Sequence, residues 1–327
     1  MRLPMSRENL LKVSTTLTKC RIWQFGKHII NMKNFYKDKV IIVTGASSGI
    51  GLASVRNFAS LGAKVVLAAR SIDKLEKIAE ELGQQTTVNG QQSDSKLNGQ
   101  SQCQSQQSKF LCIKTDVTKE EDCKNLIEKT IEIFGKIDIL VNNAGISMRA
   151  VFKDLDLNVM RSLMDTNFWG TVYCTKYALP YLLESKGTVV GVISTAGYVG
   201  LPARTAYSAS KFAVRGFLET LRIEHLYDGL NVLVFAPGFT ASNIRNVALT
   251  ADGSPQGETP RDEEKMMSAE RVARILARGI MRKRAQMVLT PLGKATLFAS
   301  RNLPRVTDRV EYRMMSNEPN SPLKKIK

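Results

Sequence analysis

Residues 40–51 read Val40-Ile41-Ile42-Val43-Thr44-Gly45-Ala46-Ser47-Ser48-Gly49-Ile50-Gly51. The first four are apolar without alternation, the pattern of a strand buried on both faces of a parallel sheet. Thr44-Gly45 ends that run, and residues 50–61 read as a helix. Glycines at 45, 49 and 51 permit a tight turn and let the backbone approach a pyrophosphate. The helix that follows offers free N–H groups and its positive dipole end to the phosphates. A strand before and a helix after is the context such a glycine-rich turn requires. An ordinary β–α turn does not need three glycines at this spacing. Thr44, Gly45, Ser47, Ser48, Gly49, Ile50 and Gly51 are therefore the candidate cofactor-binding turn.

Working outward, Val65–Ala68 is a second buried strand and 71–82 a second helix. This β-α-β order predicts a single doubly wound α/β fold: a parallel sheet with crossover helices on both faces. Further strands are expected at Phe110–Lys114, Ile139–Asn142, Val189–Ser194, Leu230–Ala236 and Ala285–Leu289. Helices are expected near 119–134, 157–185 (with a break), 205–227 and 268–282. The stretch 84–109 departs from this rhythm. It holds nine Gln, five Ser and no aromatic residue, too little apolar area to offset its ordering entropy, and reads as a disordered insertion.

A dinucleotide fold normally carries an acid after its second strand to hold the ribose 2′-hydroxyl. Here the strand ends Ala68-Ala69-Arg70-Ser71. An Arg pairs a 2′-phosphate where a carboxylate would repel it, so NADP(H) is expected in preference to NAD(H).

Tyr207 and Lys211 stand four apart on one helix face. A phenol is a poor acid–base group at neutral pH; an adjacent ammonium is expected to lower its pKa and make it a usable proton donor and acceptor. Ser194 ends an apolar strand thirteen residues earlier, Asn142-Asn143-Ala144-Gly145 ends another, and Pro237-Gly238 a third. Asn167 lies in the helix between.

Taken together these motifs resemble the classical short-chain dehydrogenase/reductase family. Thr44–Gly51 matches its T-G-x-x-x-G-x-G, Asn142–Gly145 its N-N-A-G, and Tyr207 and Lys211 its Y-x-x-x-K, in the family's order over about residues 36–290. The resemblance implies Tyr207 as acid/base, Ser194 on the substrate oxygen, and Lys211 on the nicotinamide ribose. It also implies that Asn167 positions a proton-relaying water. Asp116, followed by Val117, matches the acid at the adenine ring, and Asn143, Ala144 and Gly145 the adenosine and ribose side. Pro237, Gly238 and Thr240 match the segment around the carboxamide, with Ser242 where Thr is usual. The expected reaction is reduction of a ketone to a secondary alcohol, with a homo-oligomeric enzyme. Thr205–Gly216 has a local likeness to 3-ketosphinganine reductases and to steroid or retinol dehydrogenases, which suggests a lipid-like ketone. Specificity is expected in Ser147–Val151, Tyr198–Arg204 and 241–266, the last reading as a mobile lid.

Charge and composition set the remaining bounds. Of 327 residues 43 % are hydrophobic, enough for one large core, and the net charge is +17. Residues 1–34 carry seven basic groups against one acid, and 292–327 eight against three. The five cysteines (Cys20, Cys103, Cys112, Cys123, Cys174) have no C-x-x-C spacing, so neither a disulfide framework nor a metal site is indicated, and a cytoplasmic setting is expected. No apolar run reaches the roughly 18 residues of a membrane span. The basic extension 1–34 has three readings: an over-extended frame ahead of Met32, an amphipathic surface helix, or a targeting peptide. The first is favoured. The domain proper is expected over 35–291, and 292–327 reads as a basic amphipathic extension that packs on its own domain or touches a membrane surface. The bases lack interleaved aromatics, so nucleic acid is not an expected partner. Two other classes remain: a non-catalytic NADP(H)-binding protein on the same fold, and a membrane-surface protein held by charge.

Overall fold

The computed structural model describes residues 31–88, 109–241, 244–257, 259 and 266–324. Seven strands form one parallel sheet: β1 (Val40–Thr44), β2 (Lys64–Ala69), β3 (Phe110–Lys114), β4 (Ile139–Asn142), β5 (Thr188–Val192), β6 (Asn231–Ala236) and β7 (Gln286–Val288), in the order β3-β2-β1-β4-β5-β6-β7. Helices α1 (Gly49–Ser60), α2 (Ile72–Val88), α3 (Glu120–Phe134), α4 (Leu157–Leu163), α5 (Gly170–Glu184), α6 (Thr205–Glu224) and α7 (Ala269–Met281) make the crossovers. Helices α8 (Pro291–Asn302) and α9 (Pro304–Ser316) follow β7 and are the last helices among the described residues.

The unbroken apolar strands explain the two-sided layering, because successive side chains leave a strand on opposite faces. Ile41, Val43, Val65 and Leu67 pack with Val55 and Phe58 of α1 and Val272 and Leu276 of α7. Val40, Ile42, Val66 and Ala68 pack with Leu126 of α3, Leu182 of α5 and Leu218 of α6. Residues 31–36 are helical, and Met32 and Tyr36 belong to the first of these cores. The Tyr36 hydroxyl donates to the Ala277 carbonyl at 2.6 Å. The strand order reverses between β1 and β4, each strand starting a run in the opposite direction. In such sheets the crevice for a ligand opens beyond the carboxyl ends at this divide.

Several boundaries differ from the sequence expectation. Helix α2 runs to Val88, so the first residues of the Gln-rich stretch continue a helix; residues 89–108 lie outside the described part. The break expected within 157–185 is a π-helical turn, Met164–Trp169. β5 stops at Val192. The C-terminal extension is two helices and not one, because Leu303 sits in a non-helical conformation ahead of Pro304. Residues 1–30 lie outside the described part.

Candidate active site

The site is built from the loops that leave β1, β4, β5 and β6. Thr44 ends β1, and its Oγ1 accepts the N–H groups of Asn143 and Ala144, both at 3.0 Å. The Asn143 side chain returns the link, donating to the Thr44 carbonyl at 2.9 Å and the Gly45 carbonyl at 3.3 Å. The loops after β1 and β4 are thus stitched edge to edge. This closeness is why the glycines are needed. Gly45 sits at φ +65°, and a Cβ there would lie 2.9 Å from Ala144 Cα. A Cβ on Gly51 would lie 2.6 Å from Asn143 Nδ2 and closer still to the Gly45 carbonyl.

Ser48 caps α1 in an extended conformation without a side-chain hydrogen bond to the helix, and the first turn contains no acid. Its leading N–H groups therefore face the crevice with the helix dipole behind them, and Ile50 lines the crevice wall. Arg70 follows β2 and is exposed. Asp116 follows β3, with Oδ1 accepting from the Thr118 N–H at 3.1 Å and the Thr118 hydroxyl at 2.8 Å. Val117 is buried, and Gly170 lets α5 close on it: a Cβ there would lie 2.8 Å from the Val117 side chain. The cradle at Gly45 and Gly51, the uncapped α1 terminus and the exposed Arg70 fit a dinucleotide with its pyrophosphate at α1.

The second half of the crevice carries the acid–base groups. Ser194 is the N-cap of a single 3₁₀ turn, Thr195–Gly197, and its Oγ accepts from the Ala196 N–H at 3.2 Å. Tyr207 and Lys211 rise from α6. The buried Lys211 Nζ donates to the Val192 carbonyl at 3.0 Å and sits 5.9 Å from the centre of the Tyr207 ring. Burial draws the Lys211 amine down to about 8. Asn167 lies in the π-helical turn, a feature that recurs at functional sites. Its amide is fixed at both ends: Oδ1 accepts from the Ile146 N–H at 2.8 Å, while Nδ2 donates to the Ile146 carbonyl at 3.0 Å and to Ser210 Oγ at 2.9 Å. Gly145 separates it from Lys211. A Cβ at Gly145 would lie 2.9 Å from Asn167 Oδ1 and 3.2 Å from Lys211 Nζ.

One expectation is reversed. The Tyr207 pKa is raised, because burial of the phenol outweighs Ser194 and the Arg204 charge, which pull it down. The Lys211 ammonium stands over the ring and not at the phenol oxygen. In this state Tyr207 holds its proton at neutral pH, the form that donates.

Pro237 and Gly238 follow β6 and line the same crevice. A Cβ on Gly238 would lie 2.5 Å from Thr290 Cγ2, so glycine permits this approach. The Thr240 hydroxyl donates to the Gly238 carbonyl at 3.1 Å. Ser242 lies outside the described residues. The segment expected as a lid is pinned over its described part: the Leu249 N–H donates to the Ser147 carbonyl at 2.8 Å and the Gly257 N–H to the Asn246 carbonyl at 2.8 Å.

The cleft encloses about 200 Å³, with Ser194, Tyr207 and Lys211 on its wall. The sequence reading missed a further part of its lining, which comes from the C-terminal extension: Glu311, Met314, Met315 and Glu318. Glu311, Met314 and Met315 share one face of α9 by their i, i+3, i+4 spacing, and Glu318 follows just past its end; the acids at either end of the set mask it as an apolar signal.

Comparison with known proteins accords with this geometry. A family model described as short chain dehydrogenase matches residues 39–100 and 86–252. The chain is a short-chain dehydrogenase/reductase. As a member of that family it is an oxidoreductase acting on CH–OH groups with a nicotinamide coenzyme. This short-chain dehydrogenase is 32 % identical over 285 residues to a dehydrogenase/reductase SDR family protein 7-like of Dictyostelium discoideum, covering 86 % of this chain and 83 % of the relative. It is 35 % identical over 274 residues to an 11-beta-hydroxysteroid dehydrogenase-like 2 of Arabidopsis thaliana, covering 83 % and 79 %. An alcohol dehydrogenase from the archaeon Thermococcus sibiricus, solved in complex with 5-hydroxy-NADP, superposes with a TM-score of 0.62 at 25 % identity over 77 % of this chain and 96 % of that one.

Proposed function

We propose that this chain reduces an apolar, lipid-like ketone to its secondary alcohol with NADPH, using Tyr207 as acid and base. The observation that carries the reading is the convergence of Ser194, Tyr207 and Lys211 on one cleft beside the glycine cradle. When bound, the coenzyme supplies a hydride to the carbonyl carbon. The chain does the rest. Ser194 and Tyr207 hold the carbonyl oxygen, and Tyr207 gives it a proton as negative charge develops, so the charge meets fixed donors. Lys211 and Asn167 hold the ribose side and link the phenol to solvent protons. Preference for NADPH is supported by Arg70, which lies exposed at the end of β2 with no acid at that strand end. NADPH in turn favours reduction as the working direction.

A lipid-like substrate is supported by the apolar residues of the cleft, among them Val199, Leu201, Leu292 and Met315, and by the steroid dehydrogenase names among the relatives. Purified full-length protein, assayed for NADPH and NADH oxidation with 3-ketosphinganine, a steroid ketone and a short polar ketone, tests both parts. Turnover of a long or fused-ring ketone with NADPH is expected. Equal rates on the short polar ketone would end the lipid reading, and no oxidation with any carbonyl would favour the non-catalytic binding protein.

Self-association is supported by exposed apolar side chains: Phe212 at 42 % and Ile223 at 66 % exposure on α6, and Trp169 at 43 % at the end of the π-helical turn. Peripheral contact with a membrane, from the cytoplasmic side, is supported by α8 and α9, where exposed Leu292, Phe298, Val306 and Val310 stand among arginines. No helix among the described residues is long and apolar enough to cross a membrane. Sizing chromatography and flotation with anionic vesicles, with and without residues 292–327, read these two features.

A further inference from the structure

Four separate segments meet at Arg149, through its backbone and its side chain, at the substrate end of the cleft. The Arg149 N–H donates to the Leu249 carbonyl at 2.8 Å, and the next N–H, of Ala150, donates to the Ala203 carbonyl at 3.1 Å. The backbone at Arg149 thus joins the three segments that flank the substrate end: 147–151, 198–204 and the turn around 249. Its side chain then crosses to the C-terminus. Nη2 donates to the Pro319 carbonyl at 2.7 Å and pairs with Glu318 Oε2 at 3.3 Å. Both side chains are buried, at 4 % and 7 % exposure.

A buried ion pair contributes little net stability, but removing one partner leaves a desolvated charge that the fold must expose or lose. Such a pair works as an all-or-none latch. What it latches is the set Glu311, Met314, Met315 and Glu318, which lines the same cleft as Ser194 and Tyr207. The Ser321 hydroxyl ties the chain after the latch back to α9, donating to the Met315 carbonyl at 2.8 Å.

We infer that Arg149 is a positioning residue that locks α9 and residues 317–319 down as the specificity wall of the substrate cleft, so that the apolar body of the ketone is selected by its fit against Met314 and Met315. This deepens the reading above and rests on it for its substrate class. A ketone with one small ring meets only the catalytic wall. A larger fused-ring ketone reaches the C-terminal wall and depends on that wall being held.

The test uses the full chain and two probes, cyclohexanone and trans-decalone, with NADPH. Glu318→Gln keeps the side-chain shape and removes the charge. It should raise KM for trans-decalone about tenfold, with kcat changed less than about twofold, since misplacement of a bound body costs affinity and the proton donor is untouched. Cyclohexanone constants and NADPH affinity should stay at wild-type values. Met314→Trp, at a position 39 % exposed, fills the wall without disturbing the latch. It should lower the trans-decalone to cyclohexanone ratio of kcat/KM about tenfold. Hydrogen exchange of residues 304–324 supplies a readout independent of turnover: Glu318→Gln should speed exchange there and leave α6 protected. Unchanged exchange in 304–324, or an unchanged ratio in active variants, overturns the inference. Wild-type protein that oxidises NADPH with neither ketone counts against the proposed substrate, and the exchange of residues 304–324 in Glu318→Gln then decides the latch by itself.

Discussion

Replacing Lys211 by methionine should make the fold more stable at pH 7 while nearly abolishing activity. The Lys211 side chain is 5 % exposed, and desolvation holds its amine at about 8 against an ordinary 10.5. Below pH 8 the amine is charged in both the folded and the unfolded chain, and the fold carries the whole cost of the buried ammonium. Between about 8 and 10.5 the unfolded chain binds more protons, so stability rises with pH until the cost is gone. At about 1.4 kcal/mol per pH unit that interval amounts to about 3 kcal/mol. The methionine variant escapes it but loses the 3.0 Å hydrogen bond to the Val192 carbonyl, worth about 1 kcal/mol. The expected net gain at pH 7 is about 2 kcal/mol. By pH 10.5 the gain should shrink to nothing or become a small deficit. Urea unfolding followed by tryptophan fluorescence, at half-unit steps from pH 7 to 10.5, measures the difference directly. A difference that stays constant across this range would show that Lys211 is not held neutral by burial, and the reasoning would fail.

Other perturbations follow from the same geometry. Tyr207→Phe removes the proton donor and should lower kcat about 10³-fold, with NADPH affinity unchanged by fluorescence titration; wild-type rates would remove Tyr207 from its role. Arg70→Ala should reduce kcat/KM with NADPH about 10- to 100-fold and leave the NADH value alone; equal losses with both coenzymes would argue against a 2′-phosphate contact. Gly51→Ala drives a methyl into the Asn143 amide and the Gly45 carbonyl, and should weaken NADPH binding and lower Tm, both absent if the two loops can part. Asp138 is buried, which pushes its carboxyl up, but the Val40 N–H at 2.9 Å and Lys136 and Lys39 outweigh this and hold it below its ordinary value. Its contribution is therefore present above the carboxylate range and lost as the pH falls through the lowered value. Asp138→Asn should cost about 1–3 kcal/mol at pH 7, a gap that closes in acid when urea midpoints are compared.

What could be read in advance divides along physical lines. Strands such as Val40–Val43 and Phe110–Lys114 were legible because a run of β-branched or apolar residues between turns has few other ways to bury itself. The glycine turn was legible because only a close backbone approach calls for three glycines there. The end of β5 was not, because Ser194 uses its hydroxyl to cap a 3₁₀ turn that apolarity does not signal. The direction of the Tyr207 shift was missed for a related reason. Spacing names the neighbouring amine, but the burial, which dominates, emerges only when residues 148–163 pack against this end of α6. Arg149 and Glu318 lie far apart in the chain, and nothing local in either marks them as partners. Most of the Gln-rich insertion and Ser242 lie outside the described residues, which leaves those expectations where they stood.

The wide turn at Met164–Trp169 has an evolutionary reading. A π-helical turn is an α-helix holding one surplus residue. Deleting one residue there would let the coil close up as a regular α-helix, with α4 and α5 keeping their register and only the widened turn lost. The Asn167 amide, now clamped on Ile146 and Ser210, sits within that turn and would be drawn off both partners. Such a deletion would give a smoother helix at the expense of the amide that ties Ile146 to α6 through Ser210.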